Sequence, residues 1–111
     1  MILQESKNWV LVENISLTQL EEGKIIETYA GQKTVCLLLK GNTVLAFAAS
    51  CPHQGAKMCE GWMDAKGQVV CALHHYKFAP ESGRNTSGEG YKLRTYPVDI
   101  RGTEIYLAIN S

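Results

Sequence analysis

Short runs of apolar and β-branched residues, separated by glycine or asparagine, make up most of the first half of the chain. The runs are Trp9–Val12, Lys24–Tyr29, Thr34–Leu39 and Thr43–Ala48. Their length and composition predict β-strands. The two-residue connection Gly41-Asn42 between the last two runs is typical of an antiparallel hairpin. One helical turn is predicted at Ser16–Leu20, where a serine can cap the first turn.

The C-terminal part of the chain shows the same strand pattern. Leu93–Ile100 and Thr103–Ile109 alternate polar and apolar residues on either side of Arg101-Gly102, which predicts a second hairpin. The segment between residues 51 and 92 differs, because it contains six glycines and all three histidines. The pattern therefore predicts an all-β scaffold with a loop-rich segment that carries the candidate chemistry.

Length and charge restrict the classes of function. A chain of 111 residues forms one domain, 1–111, and its 11 Lys and Arg balance its 11 Asp and Glu. A neutral chain lacks the positive field that nucleic acids and membrane surfaces attract, and it gives no evident electrostatic steering. The longest apolar run, Val44–Ala49, is far shorter than the roughly 20 residues of a membrane span. Because Met1–Lys7 resembles no targeting signal, we expect a soluble, cytoplasmic protein.

Two short motifs bring cysteine and histidine together. Cys51-Pro52-His53 is followed, after 17 residues, by Cys71-Ala72-Leu73-His74. In a reducing compartment such spacings indicate a metal site rather than disulfides. Two core cysteines with surface histidines are the simpler alternative, and a tetrahedral zinc site is the other. Because each loop supplies one cysteine and one histidine, the spacing favours a binuclear iron cluster over a zinc knuckle.

The stretch CPHQGAKMCEGWMDAKGQVVCALHHYKF resembles the cluster-binding region of Rieske-type [2Fe–2S] ferredoxins. The resemblance implies an antiparallel β-sandwich with an inserted cluster-binding subdomain at approximately residues 50–92. It also implies one [2Fe–2S] cluster, with Cys51 and Cys71 on the inner iron and His53 and His74 on the outer iron.

Several residues depart from the family pattern. Respiratory members carry a further cysteine in each motif, joined as a disulfide, where this chain has Ala56 and Leu73, so the resemblance implies a disulfide-free member. Tyr76 and Phe78 replace a serine and a tyrosine that donate hydrogen bonds to the cluster. Fewer donors stabilise the reduced state less, which implies a reduction potential of about −150 mV. His75 occupies a position that is commonly glycine, and we interpret it as a solvated side chain beside the cluster.

Four other side chains near the motifs have less specific interpretations. Cys36, in an apolar run, is expected to be a small core residue, and Cys59 is expected to be a thiol that does not bind metal. Trp62 and Tyr76 are expected to pack over the cluster and shield its sulfurs from water.

A lone domain of this type implies electron transfer rather than catalysis. The chain has no nucleotide-binding fingerprint and no room for a second, catalytic iron centre, so we expect no catalytic residues. The resemblance implies an electron carrier between a flavoprotein reductase and a terminal oxygenase or similar acceptor. Two alternatives stay open: the small subunit of an assimilatory nitrite reductase, and a zinc-stabilised binding module.

Overall fold

The computed structural model describes residues 8–51, 57–73, 75–88 and 90–109. Two short 3₁₀ turns occur in these ranges, Leu17–Gln19 and Met58–Glu60. The strands are β1 Trp9–Glu13, β2 Ile25–Ala30, β3 Lys33–Lys40, β4 Thr43–Ala48, β5 Trp62–Met63, β6 Val69–Val70, β7 Lys77–Phe78, β8 Thr95–Tyr96, β9 Val98–Arg101 and β10 Glu104–Ala108. None of the described helical segments is long and apolar enough to cross a membrane.

The four N-terminal strands and the first hairpin confirm the predictions from the hydrophobic pattern. Lys40 pairs with Thr43 across the turn, and Gly41 adopts a φ of 63°, a left-handed conformation that glycine tolerates. The predicted turn after Ser16 is also present as a 3₁₀ turn. The Gln19 side chain accepts a hydrogen bond of 2.7 Å from the Ser16 N–H, which satisfies a donor at the start of the turn.

The second hairpin is confirmed, because β9 and β10 pair across the turn that follows Arg101. Its first strand is shorter than the predicted Leu93–Ile100, because Pro97 divides that run into two strands. β8 pairs with β4, whereas β9 pairs with β10. Proline has no N–H to donate to a ladder, and here it marks the change of partner. In the seven-stranded sheet, of order β8-β4-β3-β2-β1-β10-β9, these two strands lie at opposite edges. Since a single residue joins them, the sheet must curl until its edges are neighbours.

The all-β, antiparallel fold class is therefore confirmed, and the layers of the sandwich are parts of one curled sheet. Its interior forms a first core in which Leu37 of β3 meets Ile105 and Leu107 of β10. A second core lies on the other side of β3, where Cys36 and Leu38 point. Both faces of β3 are thus buried, and this strand separates the two cores.

A small antiparallel sheet, ordered β5-β6-β7, covers the second core. Lys40, at the end of β3, connects this sheet to the scaffold. Its ammonium group donates a 2.9 Å hydrogen bond to the Gly67 carbonyl and pairs with the Glu81 carboxylate at 2.6 Å. The hydrogen bond that the Lys40 ammonium group donates to the Glu81 carboxylate is the main reason why the pKa of Glu81 is lowered.

The turn between β5 and β6 is organised by Asp64. Its Oδ1 atom accepts hydrogen bonds of 2.9 Å from the N–H groups of Lys66 and Gln68. Its Oδ2 atom lies 3.7 Å from the Lys77 ammonium group. The Gln68 bond is the largest cause of a lowered Asp64 pKa, with smaller contributions from Lys66 and Lys77. Folding therefore favours the ionised carboxylate.

Asp64→Asn is expected to lower the thermal midpoint at neutral pH and to reduce the further loss on acidification. A depressed pKa contributes stability that is present above the ordinary aspartate pKa and is lost as pH falls through the folded-state pKa. Thermal unfolding followed by circular dichroism at about pH 7 and about pH 3 measures the difference. Asp99→Asn, which removes a carboxylate from β9, is the control, and identical pH responses of both variants would contradict this role of Asp64.

Candidate metal centre

The first candidate loop begins directly after β4. Ser50 and Lys57 form an antiparallel bridge, and the Met58 N–H donates a 2.7 Å hydrogen bond to the Ala49 carbonyl. These contacts close the loop at its base and leave Cys51 buried, with 1% of its surface exposed. Residues 52–56, including the predicted ligand His53, lie outside the described residues.

The second candidate loop begins directly after β6. The Cys71 N–H donates a 2.8 Å hydrogen bond to the Tyr76 carbonyl, and the His75 N–H donates one of 2.9 Å to the Cys71 carbonyl. Cys71 is fully buried. His74, the other predicted ligand, also lies outside the described residues. Both loops are therefore closed at the base, with a buried cysteine at the start of each.

Cys51 and Cys71 belong to one buried cluster, which also contains Met58, Phe78 and Leu93. Both cysteines are thiols outside any disulfide. Two buried thiols in a common apolar environment fit the sulfur side of a two-Cys, two-His iron–sulfur site, because thiolates are the ligands that such clusters require. Among the described residues no group of three metal-ligating side chains occurs, and both predicted histidine ligands fall outside that set.

The expectation of a disulfide-free chain is wrong, because Cys36 and Cys59 form a disulfide bond. The bond joins β3 of the scaffold to the 3₁₀ turn that follows the first loop. Cys36 is a buried core residue as expected, but Cys59 is its covalent partner rather than an isolated thiol. The argument from Ala56 and Leu73 concerned another pair of positions, and pairing across 23 residues cannot be deduced from sequence alone.

Trp62 and Tyr76 differ in their surroundings. Tyr76 packs against the second core, which contains Cys51 and Cys71. Trp62 has 45% of its surface exposed, and its ring meets His75 edge-to-face at 5.5 Å. Shielding of a bound cluster by either ring stays a prediction. The sequence analysis also missed Tyr91, whose ring stacks on Tyr76 with centroids 5.8 Å apart. Nothing in the local pattern around residue 91 signals that contact.

His75 adopts a φ of 62°, in the left-handed region that most side chains avoid. This conformation explains why glycine suits the position. The contact between the exposed imidazole and the Trp62 ring offsets part of the energetic cost of this backbone conformation.

His75→Ala is expected to be less stable than His75→Gly by about 1 kcal/mol. Alanine loses the Trp62 contact and keeps the strained backbone, whereas glycine loses the contact and relieves the strain. Thermal unfolding of the two variants side by side provides the measurement. Equal midpoints would show that the left-handed backbone carries no cost here.

Comparison with known proteins gives a consistent family relationship. The family model described as Rieske [2Fe-2S] domain matches residues 8–97. The ferredoxin component of the alkene monooxygenase system of Xanthobacter autotrophicus is 23% identical over 96 residues, covering 86% of this chain and 79% of that protein.

Solved structures share the fold over nearly the whole chain. The ferredoxin of carbazole 1,9a-dioxygenase from Nocardioides aromaticivorans IC177 superposes with a TM-score of 0.81 and 27% identity, covering 91% of this chain and 99% of that one. A Mycobacterium tuberculosis protein assigned as the small subunit of an NADH-dependent nitrite reductase also gives a TM-score of 0.81, at 19% identity, covering 96% and 99%. The second similarity concerns the fold alone.

Proposed function

Because this chain belongs to the Rieske [2Fe–2S] domain family, we propose that it carries single electrons, on one [2Fe–2S] cluster, to a terminal oxygenase. The observation that carries the proposal is the pair of buried thiols, Cys51 and Cys71, at the bases of two loops within one apolar cluster. The oxygenase systems named for the alkene monooxygenase and carbazole dioxygenase ferredoxins support this direction of transfer. The chain acts as a component of an oxidoreductase system rather than as a catalyst.

Four residues are proposed as ligands: Cys51 and Cys71 on the inner iron, and His53 and His74 on the outer iron. A bound cluster of this kind supplies a reversible one-electron site whose potential is raised by the replacement of two thiolates with neutral imidazoles. Met58 and Phe78, both fully buried beside the cysteines, exclude water from the sulfur side. In this proposal the partner protein approaches the iron that the histidines hold.

A flavoprotein reductase is the proposed electron donor, since the chain has no nucleotide-binding motif of its own. The proposed compartment is the cytoplasm. Disulfides are uncommon there. Full burial of Cys36 restricts attack by a thiol on the Cys36–Cys59 bond to the partly exposed Cys59 sulfur.

Electron paramagnetic resonance of the purified, dithionite-reduced protein tests this proposal. A rhombic signal with an average g below that of all-cysteine [2Fe–2S] ferredoxins is expected, because histidine ligation of one iron distinguishes the cluster. An absence of signal in a protein that contains stoichiometric zinc would overturn the proposal and favour a zinc-stabilised binding module.

The nitrite reductase alternative shares the fold, so it requires a separate experiment. An independent electron carrier is expected to purify alone and to accept electrons from a flavoprotein reductase. Stable co-purification with a large redox subunit, together with failure to accept electrons from any reductase, would favour a subunit role instead.

A further inference from the structure

Two positive side chains lie side by side close to the second loop. Arg84 and Lys92 are partners in an antiparallel bridge, which directs both side chains to the same face about 5 Å apart at their Cβ atoms. Neither makes an ion pair within the described residues. Like charges placed directly opposite destabilise a pair of strands. The arrangement therefore costs stability unless an anion lies between them.

The backbone holds these two residues close together. The Leu93 N–H donates a 2.8 Å hydrogen bond to the Gly83 carbonyl, and the Ala79 N–H donates one of 2.8 Å to the Arg84 carbonyl. Gly83 has a φ of 79°, and a Cβ atom there would lie 1.8 Å from the Leu93 carbonyl oxygen. The segments thus approach more closely than any side chain at position 83 would permit, which fixes the backbones of Arg84 and Lys92 side by side.

Arg84 and Lys92 line an open cleft of about 550 Å³. The lining residues are Ser82, Arg84, Asn85, Gly90, Tyr91 and Lys92. Apart from the exposed Tyr91 ring, the lining side chains that the structure describes are polar or positively charged, and none of these is acidic. The cleft offers hydrogen-bond donors and positive charge, which are the features that recognise a carboxylate.

The cleft lies next to the proposed cluster site. The Tyr91 ring in its lining stacks on Tyr76, and the Tyr76 carbonyl accepts the hydrogen bond from the Cys71 N–H. One aromatic stack and one hydrogen bond therefore connect the cleft to a proposed iron ligand.

The charges of the chain are nearly balanced in each of its parts. The cluster-binding subdomain, residues 50–92, carries five Lys and Arg and four Asp and Glu, whereas the remaining residues carry six and seven. Within the former segment Lys77 is paired with Asp64, so the unpaired charges at the cleft contribute strongly to its positive field. The two unpaired cations at the cleft are therefore a local source of electrostatic steering in a chain whose net charge is zero.

We propose that the Arg84–Lys92 cleft binds a carboxylate side chain on the acidic surface of the protein that exchanges electrons with this chain. The inference rests on the proposed electron-carrier function and adds the chemistry of the partner. The Arg84 guanidinium can grip a carboxylate in a bidentate manner, and Lys92 adds a second charge. The contact relieves the repulsion between the two cations and positions the partner beside the second loop.

A fluorescein-labelled hexaglutamate peptide serves as the probe, with labelled hexaglutamine as its uncharged counterpart. Fluorescence anisotropy with the cluster-containing protein at about 20 mM ionic strength measures binding, since exposed charges interact strongly under those conditions. Arg84→Glu and Lys92→Glu are each expected to weaken hexaglutamate binding about fivefold. Lys24→Glu makes the same change of charge before β2 and is expected to weaken it less than about twofold.

Thermal unfolding gives a second readout that a purely structural role would not produce. Each single reversal converts a like-charge pair into an opposite-charge pair, so both variants are expected to unfold at a higher temperature while they bind the peptide more weakly.

Glu89, the acidic residue between Gly88 and Gly90, lies outside the described residues. Glu89→Gln is expected to strengthen peptide binding.

Three results would overturn the docking site: no binding of hexaglutamate by the unmodified protein, equal binding by the reversal variants, or an equal loss in Lys24→Glu. Paramagnetic resonance of the same reduced samples separates this question from the proposed function. A normal cluster signal with any of those results refutes the cleft alone. A protein without the iron–sulfur signal refutes the electron carrier, whatever the peptide does.

Discussion

Cys51→Ser and Cys71→Ser are each expected to abolish cluster binding. Either variant then purifies with almost none of the iron and labile sulfide of the unmodified protein. A buried serine hydroxyl does not ionise in the way a cysteine thiol does, and each cysteine is proposed as one of only two sulfur ligands. Iron and sulfide analysis, together with the visible absorption spectrum, provides the measurement.

Replacement of the other two cysteines is the control for this experiment. Cys36→Ala combined with Cys59→Ser removes two cysteines of the chain but neither proposed ligand, so the iron content is expected to persist. Far-UV circular dichroism of every variant shows whether the sheet has formed. A folded Cys71→Ser variant with a full complement of iron would contradict the assignment of Cys71.

Loss of the Cys36–Cys59 bond is expected to destabilise the protein by about 3 kcal/mol, because the bond closes a loop of 23 residues in the unfolded chain. For a domain of this size that corresponds to a decrease of more than about 10 °C in the thermal midpoint. The Cys36→Ala, Cys59→Ser double variant tests this, with alanine at the fully buried position to avoid burying a hydroxyl group.

A reducing agent supplies the complementary test of the disulfide. Dithiothreitol is expected to lower the midpoint of the unmodified protein toward that of the double variant and to leave the double variant unchanged. Equal midpoints for the two oxidised proteins would show that the bond contributes nothing to stability.

Strand positions were predictable where the signal was local. The hairpin at Gly41-Asn42 is fixed by adjacent residues, and β4 begins and ends where the pattern predicts. The division of the C-terminal run at Pro97 was not predicted, because alternation continues across the proline and only the choice of partner strand changes. That choice depends on the curling of the whole sheet, which no local pattern records.

The candidate site, like the fold, was predictable from sequence only in part. The spacing of Cys51 and Cys71 identified two loops, and the structure buries both thiols in one core. His53 and His74 stay predictions. The disulfide partner of Cys36 depends on two distant segments meeting. Arg84 and Lys92 are only eight residues apart, but their bridge lies in a loop without a regular pattern, and the neutral total charge concealed the pair of cations.

The separation of the two cores by β3 has a consequence for the protein without iron. Among the described residues, the core inside the curled sheet contains no proposed ligand, whereas the other core contains both Cys51 and Cys71. Loss of the cluster therefore removes support from only one side of the strand. Hydrogen exchange in the iron-free protein is expected to accelerate in β5, β6 and β7, while β1 and β10 stay protected. The molecule then behaves as two cooperative folding units that have β3 in common.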